Sequence, residues 1–138
     1  MTDRPFTQAL NRIQDAGLRP TRQRLLLAKL LFEKGEDWHV TAESLHDDVL
    51  SSGEKVSLAT VYNTLHQFTE VGLLRQIVVD SGKTYFDTNT SDHHHFYHAK
   101  SGGLTDIHGH EIELSALPTP PEGTRIGRMD IVFHIDEE

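Results

Sequence analysis

The stretch that decides the fold covers residues 57–87 and reads SLATVYNTLHQFTEVGLLRQIVVDSGKTYFD. Ser57 is a favourable N-cap, and Gly72 is placed to end the helix that Ser57 starts. That helix has an apolar face made of Leu58, Val61, Leu65 and Phe68. Two short strands, residues 74–79 and 84–87, follow on either side of a polar turn. A helix followed by a β-hairpin predicts a winged helix-turn-helix.

Three further helices are predicted before this stretch. Apolar residues recur at helical spacing over residues 6–18. Thr21 can cap a second helix with a broad apolar run over residues 25–32, and Thr41 can cap a short third helix over residues 42–50. We therefore expect the winged-helix domain to cover residues 1–86.

A second, smaller domain is predicted after the hairpin. Residues 87–92 are short and polar, as expected of a hinge, and candidate strands follow at residues 93–99, 104–108 and 126–135. So few strands make too little core for independent stability. We expect a second copy of the chain to complete the sheet, so that residues 93–138 form the dimerisation domain of a homodimer. The predicted fold class is α+β, with a winged helix-turn-helix followed by a small α/β domain whose sheet is mostly antiparallel.

Composition excludes several kinds of site. The 138 residues include no cysteine, which rules out disulfides, thiolate zinc sites and redox-active thiols. The formal net charge is −8, yet residues 1–86 carry 10 Lys/Arg against 11 Asp/Glu, while residues 87–138 carry 3 against 10. The acidic excess lies in the second half, which leaves the first half free to bind double-stranded DNA. No apolar run has the length of a membrane span, so we expect a soluble cytoplasmic protein with no membrane partner.

The outer face of the helix that follows Ser57 is a candidate DNA-reading surface. Its small, polar and aromatic side chains are those of Ala59, Thr60, Tyr62, Asn63, His66 and Gln67. Asparagine can pair bidentately with adenine, and apolar atoms can contact a thymine methyl group in the major groove. On the hairpin, Lys83 and Arg75 are candidates to meet the phosphate backbone. A solvated helix face would have a similar composition, and the hairpin that follows is what favours DNA binding.

Residues 87–98, which read DTNTSDHHHFYH, form a candidate metal site. Imidazole and carboxylate ligands together suit iron, manganese or zinc better than calcium or magnesium. If the run is a strand, His93 and His95 point to one face while His94 points to the other. The alternatives are a solvated polar loop or a patch that takes up protons near neutral pH.

Several ordered motifs resemble the ferric uptake regulator family across nearly the whole chain. They are GLRPTRQR at residues 17–24, WHVTAESLH at 38–46, VSLATVYNTLHQFTEVGLL at 56–74, GKTYFD at 82–87, and the histidine run. LATVYNTL together with DHHHF is most similar to the iron response regulator branch of that family. The resemblance implies a homodimeric transcription regulator, not an enzyme, that binds AT-rich inverted repeats in response to iron status.

The resemblance also implies a sensing site that joins the two domains and consists of His39, Asp87, His94 and Asp106. A divalent ion held by these four residues would fix the angle between the DNA-reading heads, and hence whether they match two half-sites. The family has a further histidine where this chain has Phe96, which leaves the choice among iron, manganese and zinc open.

A second metal site is implied within the dimerisation domain. It would use His93, His95 and Glu113, and its fourth ligand aligns near Met129, a poor ligand for a hard divalent ion. The iron response branch is also implicated in haem sensing, with His93, His94 and His95 as the expected contact. Because the chain has no cysteine, haem would need histidine ligation.

For DNA, the resemblance implies that Tyr62 reads thymine, that Thr60 touches the backbone and that Arg19 enters the minor groove. The arginine that usually follows the tyrosine in the family is replaced by Asn63. Because a long cation and an amide differ in reach and in partner, this exchange predicts a changed operator preference.

Three alternatives stay open at this point. One is a regulator of the same family that senses manganese or zinc. Another is a metal-dependent hydrolase, although the sequence holds neither a helical HExxH motif nor a nucleophile motif. The third is a structural interaction domain that binds neither metal nor DNA.

Overall fold

The structure is a computed structural model, and it describes residues 7–33, 38–80, 83–91, 93–108 and 111–136. Residue 6 of the first expected helix, the centre of the expected wing turn at residues 81–82, and Asp92 of the expected hinge lie outside these ranges. The chain divides into two compact units, residues 1–90 and residues 91–138.

The first unit begins with four helices, which are α1 (Thr7–Asp15), α2 (Arg22–Phe32), α3 (Ala42–Ser51) and α4 (Leu58–Glu70). The three N-caps expected from the sequence are all formed. The side chains of Thr21, Thr41 and Ser57 accept hydrogen bonds from the backbone N–H groups of Arg24, Ser44 and Thr60. Each such cap contributes about 1 kcal/mol to helix stability.

The core of the first unit lies between these helices and the sheet that follows them. Its fully buried large side chains include Ile13, Leu27, Leu31, Leu45, Val49, Val61, Leu65, Phe68 and Phe86. Leu58 was expected on this face but is 40% exposed, because the residue that turns inward with Val61 and Leu65 is Thr64. The hydroxyl group of Thr64 can be buried because its Oγ1 donates a hydrogen bond of 2.8 Å to the Thr60 carbonyl. Within the described ranges, no helix is long and apolar enough to cross a membrane.

A small antiparallel sheet completes the first unit. Its strands are β1 (His39–Val40), β2 (Arg75–Asp80) and β3 (Lys83–Asp87), and β3 lies between the other two. The expected wing hairpin is therefore present, with β1 added to it. A strand of two residues has no periodicity of its own, so the sequence gives no sign of β1.

The second unit contains a three-stranded mixed sheet made of β4 (His93–His98), β5 (Leu104–His108) and β6 (Val132–Ile135). Strand β4 is central, antiparallel to β5 and parallel to β6. The last strand is much shorter than the expected span of residues 126–135, and residues 112–131 form neither helix nor strand. Exposed apolar side chains of this unit are those of Leu114, Leu117, Ile126, Met129 and Phe133.

Candidate functional site

The sheet of the first unit brings a histidine and a carboxylate together. His39 on β1 is the direct cross-strand partner of Asp87 on β3, so both side chains lie on the same face. His39 Nε2 lies 3.9 Å from Asp87 Oδ2, and the Asp87 carboxylate is fully buried. The other oxygen, Oδ1, accepts a hydrogen bond of 2.8 Å from the Asn89 N–H. The carboxylate is thereby oriented, with one oxygen directed to the imidazole.

Trp38 and Thr88 hold this pair in register. The Trp38 N–H donates to Thr88 Oγ1 at 3.0 Å, and the Thr88 N–H donates to the Trp38 carbonyl at 3.1 Å. The indole Nε1–H of Trp38 donates to the Leu31 carbonyl at 2.6 Å, in the last turn of α2. Through these hydrogen bonds, the residues next to His39 and Asp87 are held to the last turn of α2.

The second unit carries another group of metal-ligating side chains. His93 Nε2 and His95 Nε2 lie 3.7 and 3.3 Å from Asp106 Oδ1, and His95 is only 1% exposed. His93 Nδ1 lies 2.7 Å from the Ser91 carbonyl oxygen. Because a carbonyl can only accept, Nδ1 carries a proton, and Nε2 is the nitrogen left to bind a metal ion. An imidazole oriented by a carbonyl in this way is typical of a metal ligand.

His94 faces the opposite side of β4, as the alternation of a strand requires. Its Nδ1 accepts a hydrogen bond of 3.1 Å from the Ile131 N–H, and its cross-strand neighbour is Ile107. Asp106 is the cross-strand neighbour of His95. The alignment that grouped His94 with Asp106 therefore differs from the structure, in which His93 and His95 are the histidines beside Asp106.

The remaining residues of the expected second site lie outside the strands of the second unit. Glu113 and Met129 lie in the irregular segment between β5 and β6, and both are exposed. Phe96, at the position where the resemblance implied a family histidine, packs against Phe133 with ring centroids 5.8 Å apart. The aromatic ring at position 96 therefore has a packing role in the second unit.

The donor set determines which ions would fit. His39, Asp87, His95 and Asp106 each offer one ligand atom suitable for a metal ion. All are imidazole nitrogens or carboxylate oxygens, and these ligands suit divalent iron, manganese and zinc. The residues present are therefore compatible with the metals expected from the sequence.

The outer face of α4 is exposed, as expected for a DNA-reading helix. Ala59 and Asn63 are exposed, and the Tyr62 side chain is 46% exposed despite its size. The Tyr62 ring rests against the His66 ring at 4.5 Å between centroids, and His66 in turn contacts buried Phe86 at 5.5 Å. A large aromatic side chain is therefore held in place at the surface of the helix.

The other residues of the first unit that were expected to contact DNA differ in their exposure to solvent. Arg19 is exposed, and half-buried Lys83 places Nζ 5.4 Å from the centre of the Tyr85 ring. Thr60 is half-buried, and its Oγ1 accepts a hydrogen bond from the Ser57 hydroxyl. Arg75 was expected to meet phosphates but is only 4% exposed, and its cross-strand neighbour is Asp87. The expectation for Arg75 is wrong, because the residue points into the unit beside a buried carboxylate.

Sequence analysis missed two supporting interactions. One is the set of Trp38 hydrogen bonds, since Trp38 lies before a strand too short to predict. The other is a pair of hydrogen bonds in which the Arg24 guanidinium donates to the Arg19 carbonyl at 2.9 Å and to Gln67 Oε1 at 3.2 Å. The spacing of these residues along the chain carries no sign that they meet.

Comparisons with known proteins agree on one family. The sequence matches the profile of the Ferric uptake regulator family over residues 15–132. A ferric uptake regulation protein from Neisseria gonorrhoeae is 35% identical over 102 residues, which span 73% of this chain and 70% of the relative. The structure of the ferric uptake regulator from Pseudomonas aeruginosa with manganese has a TM-score of 0.72 at 25% identity, over 94% of this chain and 98% of that chain. The ferric uptake regulator from Vibrio cholerae shares the fold, with a TM-score of 0.67 at 22% identity, over 90% and 95% of the two chains.

Proposed function

Since the chain belongs to the ferric uptake regulator family, we propose that it is an iron-responsive transcription regulator that binds AT-rich inverted repeats in the cytoplasm. Members of the family are DNA-binding dimers that respond to metals, and they are regulators rather than enzymes. The hydrolase alternative is therefore set aside, and so is the alternative of a structural domain.

The observation that carries the metal part of this proposal is the pairing of histidine with carboxylate in each unit. The pairs are His39 with Asp87, and His95 with Asp106. Either pair alone supplies two ligands, whereas metal sites in proteins generally use three or more. We propose that one ion takes ligands from both pairs and so uses His95 where the family alignment suggested His94. Such an ion would link the DNA-binding unit to the second unit and stabilise one arrangement of the dimer.

If the proposed ion uses His95, the second metal site loses one of its expected ligands. That site would need His95 together with His93 and Glu113, and one imidazole nitrogen cannot serve two ions at once. We therefore propose that His93 supports the first site through its contact with Asp106. A separate ion at His93, His95 and Glu113 is the alternative, and metal stoichiometry distinguishes the two.

Divalent iron or manganese is the effector that the ligands favour. Two imidazoles and two carboxylates form a mixed nitrogen and oxygen set, which accepts both ions. The Pseudomonas relative was solved with manganese. Zinc binds the same ligand types, and a regulator of manganese or zinc remains the alternative function.

Membership of the iron response regulator branch, with haem as a second effector, is a further proposal. Its support is the histidine run, His93, His94 and His95, in a chain that has no cysteine for haem. All three imidazoles are buried in the second unit, so haem ligation would require that unit to open locally. The divalent ion is the effector that fits without such a change.

DNA recognition is proposed to use α4, the segment before α2, and the wing. Tyr62 and Ala59 would contact thymine methyl groups, and Asn63 would pair with adenine in the major groove. Arg19 would enter the minor groove, while Thr60 and Lys83 would contact the phosphate backbone. In the dimer, the exposed apolar side chains of the second unit would be covered by the second copy.

The test is binding of the metal-free protein to a labelled AT-rich inverted repeat at fixed salt. Manganese, zinc and haem are added separately, and magnesium serves as the control for a non-specific effect of a divalent cation. A change in affinity with manganese and none with magnesium supports metal sensing at the proposed site. A change with haem alone supports the branch proposal instead, and absence of DNA binding under all conditions would overturn both.

A further inference from the structure

Arg24 connects two parts of the first unit that are far apart in the sequence. Its Nη1 donates to the Arg19 carbonyl at 2.9 Å, and its Nη2 donates to Gln67 Oε1 at 3.2 Å. Arg19 lies in the segment before α2, and Gln67 lies on the exposed face of α4. The guanidinium therefore joins the backbone of one segment to the side chain of another.

The N-cap of α2 fixes the backbone position of Arg24. The Thr21 side chain accepts a hydrogen bond from the Arg24 backbone N–H at 3.3 Å, which fixes the first turn of the helix. A guanidinium is planar and presents its N–H groups in a rigid fork, so it can donate to two separate acceptors at once. A lysine ammonium on its flexible stem does not reproduce that geometry.

We infer that Arg24 is a positioning residue that sets the place of the Arg19 segment relative to α4. The inference rests on the proposed function, in which Arg19 and α4 read different grooves of the same half-site. An operator presents its two grooves at a fixed separation, so the separation of the two readers must match it. Arg24 acts through Arg19 and Gln67 in this role, and no contact between Arg24 and DNA is needed.

The rival role for Arg24 is a direct phosphate contact, and salt dependence separates the two. The plot of log K against log salt has a negative slope, and loss of one phosphate contact reduces the magnitude of that slope by about 0.9. Loss of a positioning contact weakens binding at every salt concentration and leaves that slope unchanged. Lys83→Ala, which removes a proposed phosphate contact, provides the reference for a lowered slope.

The experiment measures operator affinity of the full-length protein from 50 to 200 mM salt, in roughly the range where such slopes are defined, at one manganese concentration. The variants are Arg24→Gln, which also removes the charge that a phosphate contact would need, Arg24→Lys, Gln67→Leu, and the double variant of Arg24→Lys with Gln67→Leu. Arg12→Lys is the matched control, since Arg12 lies over the ring of Phe32, at the end of α2 opposite Arg24. We expect each single variant to bind about tenfold more weakly with an unchanged slope, as loss of a charged hydrogen bond suggests. The double variant should be no weaker than the weaker single variant, because both disrupt one connection.

Several results would overturn the inference. They are unchanged affinity of Arg24→Lys, a slope lowered as in Lys83→Ala, and additive losses in the double variant. If Arg24→Lys fails to fold, Gln67→Leu tests the same connection from its other end. A wild-type protein that does not bind the operator overturns the proposed function itself, whereas wild-type binding with equally tight variants overturns only the role of Arg24.

Discussion

The imidazole of His95 lies 3.3 Å from the carboxylate of Asp106, its direct partner on the neighbouring strand. The side chain of His94, one residue earlier, lies on the opposite face of the same strand. In a run of three histidines, the period of a β-strand thus decides which rings can share a ligand position with a given carboxylate. The consequences for stability, metal binding and DNA recognition can be measured separately.

Substitution of His94 should lower stability without a loss of metal ligands. In His94→Ala the half-buried Ile131 N–H loses its acceptor, which we expect to cost about 1 kcal/mol. Urea denaturation of the metal-free protein measures this loss. His98→Ala is the control from the same strand, because His98 bonds the Thr105 hydroxyl at an exposed position. Equal stability of His94→Ala and wild type would contradict the hydrogen bond.

Removal of the Thr88 hydroxyl should weaken metal binding indirectly. Thr88→Val keeps the shape of the side chain but deletes the acceptor of the Trp38 N–H, which we expect to cost about 1 kcal/mol of stability. Because Trp38 precedes His39, the apparent Kd for manganese should rise several-fold. Thr90→Val, in the same segment and exposed, should leave both quantities unchanged. A manganese affinity that is the same in both variants would show that the Trp38 and Thr88 contact does not position His39.

The single tryptophan offers a direct optical measurement of metal binding. Trp38 is adjacent to His39, and the chain has no other tryptophan. Manganese bound by His39 should change the fluorescence of Trp38 with a saturable dependence on concentration. His39→Ala should abolish the change, while magnesium should produce none. A fluorescence response that survives in His39→Ala would place the ion elsewhere.

The sequence predicts the scaffold of the first unit well and the details of the site less well. The caps at Thr21, Thr41 and Ser57 depend on neighbours three residues away, and such local hydrogen bonds are visible in the sequence. The burial of Arg75 depends on its register with Asp87 across two strands, which the sequence does not reveal. Strand alternation separated His94 from His95 at the outset, but the partner of each face became apparent only with the pairing of β4 and β5. The last strand expected from the sequence was too long at its start, because residues 126–131 contain apolar side chains that the second unit leaves exposed.

Asn63 should alter the choice of operator. The amide of Asn63 is suited to adenine, whereas an arginine at this position would be suited to guanine. Selection from a randomised half-site library by wild type and by Asn63→Arg should therefore yield different bases at one position. Gln23→Arg, which adds the same charge at an exposed position of α2, controls for a general gain in DNA affinity. Identical operator selection by wild type and Asn63→Arg would contradict a base-reading role for Asn63.

The most direct test of the account is a comparison of His95→Ala with His94→Ala for manganese affinity and for manganese-dependent operator binding. We expect His95→Ala to lose at least about tenfold in manganese affinity, by analogy with the loss of supporting groups at metal sites, together with the effect of manganese on DNA binding. His94→Ala should keep both at a temperature where it is folded. The reverse pattern, with His94→Ala deficient and His95→Ala responsive, would show that the family alignment and not the strand geometry identifies the ligand.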